Sequence, residues 1–288
     1  MRFVSKTMFE MILIIIGIIL VSTTISLFQM KDFSLLTFGN NFVTITTDII
    51  SPQNLVYINP ISDVERNLFP IILNAYFSSA QIFFLALIIS LFISLSMIVL
   101  YFSASHRLKK SIERIGFIIS SLPDIFLIVI TQIFVVWFFK QTGILVFDFV
   151  ATMDNHIVLV PAIILSVLPT FFFFSLMISI LREEEGMAYV ELAKSKGLKK
   201  YRILFIHMMR NILISLTTHG KHITWFMLSN LLVLEYLFNV FGVTSFLFSY
   251  NTSSIFTVTC ILLFVPLFLI LKTLQFTFSQ KIGSELNL

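Results

Sequence analysis

The sequence predicts an all-α polytopic membrane protein with six transmembrane helices, and three observations carry that prediction. Of the 288 residues, 58% are hydrophobic and 12% charged, with a mean hydropathy of +0.99. A soluble domain carries about 25% charge, so this chain lacks the polar surface to face water on every side. The apolar residues also fall into six runs, near 9–28, 71–101, 115–139, 157–181, 211–235 and 255–278. A helix needs about 20 such residues to cross a bilayer. Finally, the basic residues between the runs are distributed very unevenly, as membrane topology requires.

Taken in order, the first run follows Arg2 and Lys6, as a signal peptide would. The stretch after it, "STTISLFQM", offers no small-x-small cleavage site, so it is expected to be an uncleaved span. Residues 29–70 are the one sizeable segment on the far side. With "SPQNLVYINPISD" they read as loop with at most short structure. The second run is long enough to require tilt or an extra turn outside the bilayer. The "FFFF" of 171–174 in the fourth run reads as lipid-facing or packing surface. If the N-terminus is cytoplasmic, fifteen Lys and Arg lie in cytoplasmic segments. Only Lys31, Arg66 and Lys140 lie opposite. That bias makes both termini cytoplasmic, and with them the charged block "EEEGMAYVELAKSKGLKKYRILFIHMMRN" of 183–211.

This block reads as a helix, a bend and a second helix. Glu183, Glu184 and Glu185 suit a helix N-terminus. Val190, Ala193 and Gly197 recur at helical spacing as a stripe of small apolar residues, flanked by a Glu191–Lys194 pair. Gly197 suits a helix end or sharp bend, after which the chain runs into the fifth apolar run. Two readings remain open on these grounds. One is a surface linker touching lipid headgroups, the other a docking element whose small-residue face fits a groove on a soluble partner.

Glu191-Leu192-Ala193, three residues and Gly197 resemble the Glu-Ala-Ala-x3-Gly signature in the cytoplasmic loop of permease subunits of bacterial ABC importers. Leu192 replaces the first Ala. Tyr189, Val190, Ala193, Lys196, Gly197, His207, Arg210 and Asn211 resemble the dipeptide/oligopeptide/nickel subgroup more narrowly. "SSLPDIF" at 120–126 and "SNLLVLEYLFNVFGV" at 229–243, with Glu235 and Gly242, are similar to two further segments of it. The chain departs from that subgroup at several points. The Pro-Gly-Asp-Pro after the first span is missing, Phe241 stands where a Pro is usual, and Leu213-Ile214-Ser215 replaces the Leu-Pro after Arg-Asn. A divergent member is therefore expected.

The resemblance implies residues 71–288 as the transporter's transmembrane domain, preceded by a first span and external loop at 1–70, with a coupling loop over 182–210. It implies ATPase coupling through Tyr189, Val190, Glu191, Ala193, Lys196, Gly197, His207, Arg210 and Asn211. It further implies cytoplasmic ATPase subunits, a second homologous permease and an extracytoplasmic binding protein as partners, in a bacterial cell membrane. The solute would be peptide-like or of the nickel type.

No catalytic or cofactor site is expected. None of the nine glycines falls in a Gly-x4-Gly-Lys-Ser/Thr loop, and there is no His-Glu-x-x-His or Gly-x-Ser-x-Gly. ATP hydrolysis would belong to a partner. Of five histidines only His219 and His222 share a helical face, without a third ligand. The single cysteine, Cys260, excludes a disulfide framework. Ionisable residues inside spans are functional candidates by default. Asp124, in the third run, must face a cavity, a partner or a hydrogen-bonding neighbour. Lys221, between His219 and His222, either snorkels to the interface or lines the pathway. Glu235 is expected to be structural. The rival classes are an ion-coupled secondary transporter, which would need interrupted helices in repeat-related positions, and a permease-like sensor or assembly subunit that transports nothing.

Overall fold

The computed structural model describes residues 2–30, 33–58, 64–143, 158–250 and 252–285. The positions of Lys31 and His156 fall outside them. Apart from one short hairpin, the described elements are helices, and they group into two compact units. Among the described residues, five helical segments are long and apolar enough to cross a membrane: Ser5–Met30, Ile71–Ser103, Asp124–Thr142, Leu159–Glu185 and Ser253–Thr277.

The first unit comprises Met1–Ala80 and Asn239–Thr273. Helix α1 (Arg2–Met30) buries Ile19, Ser22, Thr23 and Ser26, a stripe of small residues one and two turns apart. Thr23 and Ser26 return their hydroxyls to the Ile19 and Thr23 carbonyls, whereas the buried Ser22 hydroxyl has no hydrogen-bond partner among the described residues. Against α1 packs α2 (Leu35–Ile50), which corrects the expectation of loop over 29–70. Ser34 caps this helix by accepting from the Thr37 amide at 3.1 Å. Phe38, Phe42, Ile45 and Ile49 recur at helical spacing on its inward side, with Ile45 fully buried. The loop reading rested on "SPQNLVYINPISD" at 51–63, which follows this helix.

Strands β1 (Val56–Ile58) and β2 (Glu65–Asn67) then pair antiparallel, with Tyr57 opposite Arg66. Tyr57, Leu68, Ile72 and Ala75 meet Phe246, Ile255 and Val258 in a small core. These last come from α11 (Val243–Ser249) and α12 (Ser253–Glu285), and Ile72 and Ala75 from the start of α3 (Ile71–Ser103). Two side-chain ties hold α1 and α2 to α12. Lys272 Nζ lies 2.6 Å from Glu10 Oε2, and Ser254 donates its hydroxyl to Asp48.

The second unit comprises Gln81–Phe238 and Leu274–Leu288. Its centre is α6 (Leu159–Glu185), against which α4 (His106–Ser120), α5 (Asp124–Thr142), α9 (Met209–His219) and α10 (Lys221–Leu237) all pack. The run of four phenylalanines is packing surface in part. Phe173 and Phe174 are buried, and Phe172 meets Phe226 edge-on at 5.2 Å.

Two predicted runs are divided. Run 115–139 breaks at Ser121–Pro123, because the residue before a proline is driven out of helical conformation. Residues 115–120 belong to α4, and Asp124 becomes the first residue of α5. Run 211–235 breaks at Gly220, between α9 and the 17 residues of α10. A Cβ at Gly220 would lie 2.5 Å from the Leu216 carbonyl oxygen and 3.1 Å from the Phe173 ring, so only glycine lets the joint approach α6.

Candidate functional site

The charged segment starts where α6 ends at Glu185. Met187, in extended conformation, leads into α7 (Ala188–Ser195). Eight residues do not sustain an isolated helix, and α7 is held by its surroundings. Val190 and Ala193 are buried at 0% and 5% exposure, while Glu191 and Leu192 face out. Two of the three stripe residues, Val190 and Ala193, are thus turned into their own chain, while Gly197 is exposed. That corrects the picture in which this stripe fits a partner's groove; the outward face presents Met187, Glu191 and Leu192 instead.

Gly197 closes α7 in left-handed conformation, with φ of +73°. Its amide donates to the Lys194 carbonyl at 2.9 Å, and the Leu198 amide donates to Ala193 at 3.2 Å. This pair of bonds is a Schellman cap, which glycine adopts without a Cβ penalty. The chain restarts at α8 (Lys200–Arg202) and widens into a π-helical turn over Ile203–Met208 before α9. Leu204, Met208, Ile212 and Leu216 are all buried at a constant spacing of four, wider than the 3.6 of an α-helix. One wide turn keeps that row facing inward.

Two motif residues meet a third that lies outside the motif. Asn211 Nδ2 donates to Glu184 Oε2 at 3.0 Å and lies 3.3 Å from the Tyr189 hydroxyl, which itself donates to Glu184. The His207 ring lies 6.4 Å from that of Tyr189. Glu184, Tyr189 and Asn211 therefore form a polar latch that binds the end of α6, α7 and α9 into one piece. Glu184 was read only as a favourable charge at a helix start, whereas it is the acceptor at the latch's centre. Lys196 and Arg210 are exposed.

A second tie sits beside it. Arg182 Nη2 reaches Glu113 at 2.6 Å, and Tyr101 donates its hydroxyl to the same carboxylate, joining the ends of α3 and α6 to α4. The Tyr101 hydrogen bond, then Arg182 and Lys109, hold the Glu113 carboxyl below its usual range, against a smaller opposing effect of burial. These residues are far apart in sequence and share no motif.

Asp124 is half-buried and lies by Asn230 of α10. The two line a small cavity of about 20 Å³ with Leu127, Ile128 and residues of α6, near the volume one water needs. A cavity is one of the three environments expected for this carboxylate. Gln132 Nε2 donates to the Leu237 carbonyl at 2.9 Å and so caps the end of α10 from α5. Lys221, His219 and His222 are all exposed at the α9–α10 joint, and Glu235 is 1% exposed within α10. Among the described residues no group of three His, Cys, Asp or Glu is placed to hold a metal ion.

Against known families, residues 95–284 match the one described as binding-protein-dependent transport system inner membrane component. No curated protein matches the chain.

Proposed function

The chain belongs to the family of binding-protein-dependent transport system inner membrane components, and from that premise we propose that it is the permease subunit of an ABC importer. It forms half of the pathway for a peptide-like or nickel-type solute. In this reading six spans cross a bacterial cell membrane, α9 and α10 together making the fifth, and both termini are cytoplasmic. A second homologous permease completes the pathway, ATPase subunits supply the energy, and an extracytoplasmic protein delivers the solute. The chain itself is not an enzyme.

The observation that carries the coupling role is the construction of residues 183–211. A short helix carries an outward face of Met187, Glu191 and Leu192, while the latch of Glu184, Tyr189 and Asn211 fixes it to α6 and α9. A push on α7 is then transmitted to α6, which packs on four other helices of its unit. Val190 and Ala193 serve by letting α7 lie close, and Gly197 by ending it. Family membership speaks for this reading over an ion-coupled carrier.

The test is gentle detergent purification of the tagged chain from its host, beside Gly197→Asp and Gly197→Asn. Gly197 is exposed and nothing lies within 4 Å of a Cβ there. Asp thus adds a charge without a clash, and Asn tolerates the same backbone conformation uncharged. The wild type and the Asn variant should bring down an ATPase and a second permease, and the Asp variant the permease alone. Purification of the wild type without any ATPase, under conditions that hold known importer complexes together, would defeat the proposal.

A further inference from the structure

Beside α7 lies a cleft of about 390 Å³, at the small end of the ~300–1,000 Å³ typical of ligand sites. Its floor is apolar and built of buried side chains: Phe102 from α3, Val190 from α7, and Ile203 and Met208 from the π turn. Three charged residues, Glu185, Lys194 and Lys200, stand among its lining. The Lys200 ammonium lies 4.8 Å from the centre of the Phe102 ring, which holds it at the wall. None of the three charges is in an ion pair among the described residues.

We propose that this cleft binds a small zwitterion with an apolar body, of the class of a hydrophobic amino acid or dipeptide. The choice follows from the set of charges. A simple anion would meet Glu185, and a simple cation would meet two ammonium groups. A neutral apolar molecule would strip water from all three and return no hydrogen bond. A zwitterion places its carboxylate at Lys194 and Lys200, its ammonium at Glu185 and its side chain on the floor. Each contact is a charge-assisted hydrogen bond, the stronger kind. The walls come from the ends of α3 and α6, from α7 and from the π turn, so an occupant would brace α7 against its neighbours. A phosphatidylethanolamine headgroup carries the same two charges on an apolar body and is the second source of this chemistry. The proposal stands on the cleft and not on the transport reading.

The test is calorimetric titration of the full-length chain, purified with its accompanying subunits in detergent free of phosphatidylethanolamine, with leucyl-leucine as the probe. Saturable binding is expected, weakened about tenfold or more when the probe is N-acetylated or amidated, as the loss of a charged hydrogen bond implies. Glu185→Gln and Lys200→Gln should each weaken it similarly, and Lys200→Arg should retain it, which separates a lost contact from a lost fold. Repeating the titration in nanodiscs with and without phosphatidylethanolamine distinguishes the sources. Competition by the lipid that vanishes in both variants identifies the headgroup as the occupant. Binding unchanged in both variants belongs elsewhere, as in a solute pathway, and overturns the proposal. So does the absence of saturable binding to the probe together with no variant-sensitive lipid effect.

Discussion

At Gly197 the φ of +73° and the open space around a would-be Cβ put the whole cost of a side chain in the backbone. An L-residue in that conformation is disfavoured by about 1–2 kcal/mol, with Asn an exception. Gly197→Ala should therefore lower the melting temperature of the detergent-solubilised protein and Gly197→Asn should largely restore it; equal losses would refute the backbone argument. At Gly220 the reverse holds. The backbone is ordinary, and the Leu216 carbonyl and Phe173 ring occupy the space a Cβ needs. Gly220→Ala should cost about 1–3 kcal/mol as overpacking does, read as a lower melting temperature, and Phe173→Leu should not rescue it fully because the nearer obstacle is backbone. Glu113 adds a pH dependence. Its carboxyl is held below the ordinary range in the folded protein, so its tie to Tyr101 and Arg182 stabilises at pH above the unfolded value and is lost as pH falls through the lower folded one. Thermal melts should separate wild type from Glu113→Gln at neutral pH and converge in acid. A constant gap across that range would show that the tie is not ionic.

Among the elements, α12 is pinned twice, by Lys272 to Glu10 on α1 and by Ser254 to Asp48 on α2. The anchors on α12 are 18 residues apart, about 27 Å at 1.5 Å per residue, close to the ~30 Å of a hydrocarbon core. An ionised pair on two apolar helices is costly unless both partners remain. Glu10→Lys or Lys272→Glu alone should destabilise the solubilised protein and reduce its yield in the membrane. The double exchange Glu10→Lys with Lys272→Glu should recover most of the loss, and no recovery would mean that the side chains act independently. The elements also mark where sequence reading stops. Five spanning helices were legible because a long apolar run allows nothing else in a membrane. The bend after α7 was legible because Gly197 follows a short amphipathic stretch. Helix α2 was not, since the loop signal of "SPQNLVYINPISD" beyond its end was extended over it. The break at Gly220 was not either, because a single glycine inside an apolar run signals nothing until the packing of Phe173 is known. The latch showed two of its members, Tyr189 and Asn211, in a motif, while Glu184 looked like one of three equivalent glutamates.

For the molecule as a whole, the family match begins at residue 95, so α1, α2 and the hairpin lie outside it. The same elements belong to the first unit, whereas the latch, the cleft and the outward face of α7 all lie in the second. On the coupling role proposed for α7, stability and coupling would fall to different parts of one chain. Removing residues 1–50 would take away Glu10 and Asp48, leaving Lys272 without its carboxylate and Ser254 without its acceptor. It would leave every residue of 183–211 in place. The truncated chain should show lower membrane yield and a lower melting temperature, yet the fraction that remains monodisperse on size exclusion should still capture the ATPase. The control is Gly197→Asp in the full-length chain, for which the opposite is expected, ordinary yield with the ATPase lost. If the monodisperse truncated protein captures no ATPase, the N-terminal helices contribute to coupling. The role proposed for α7 would then have to be shared with α1 and α2.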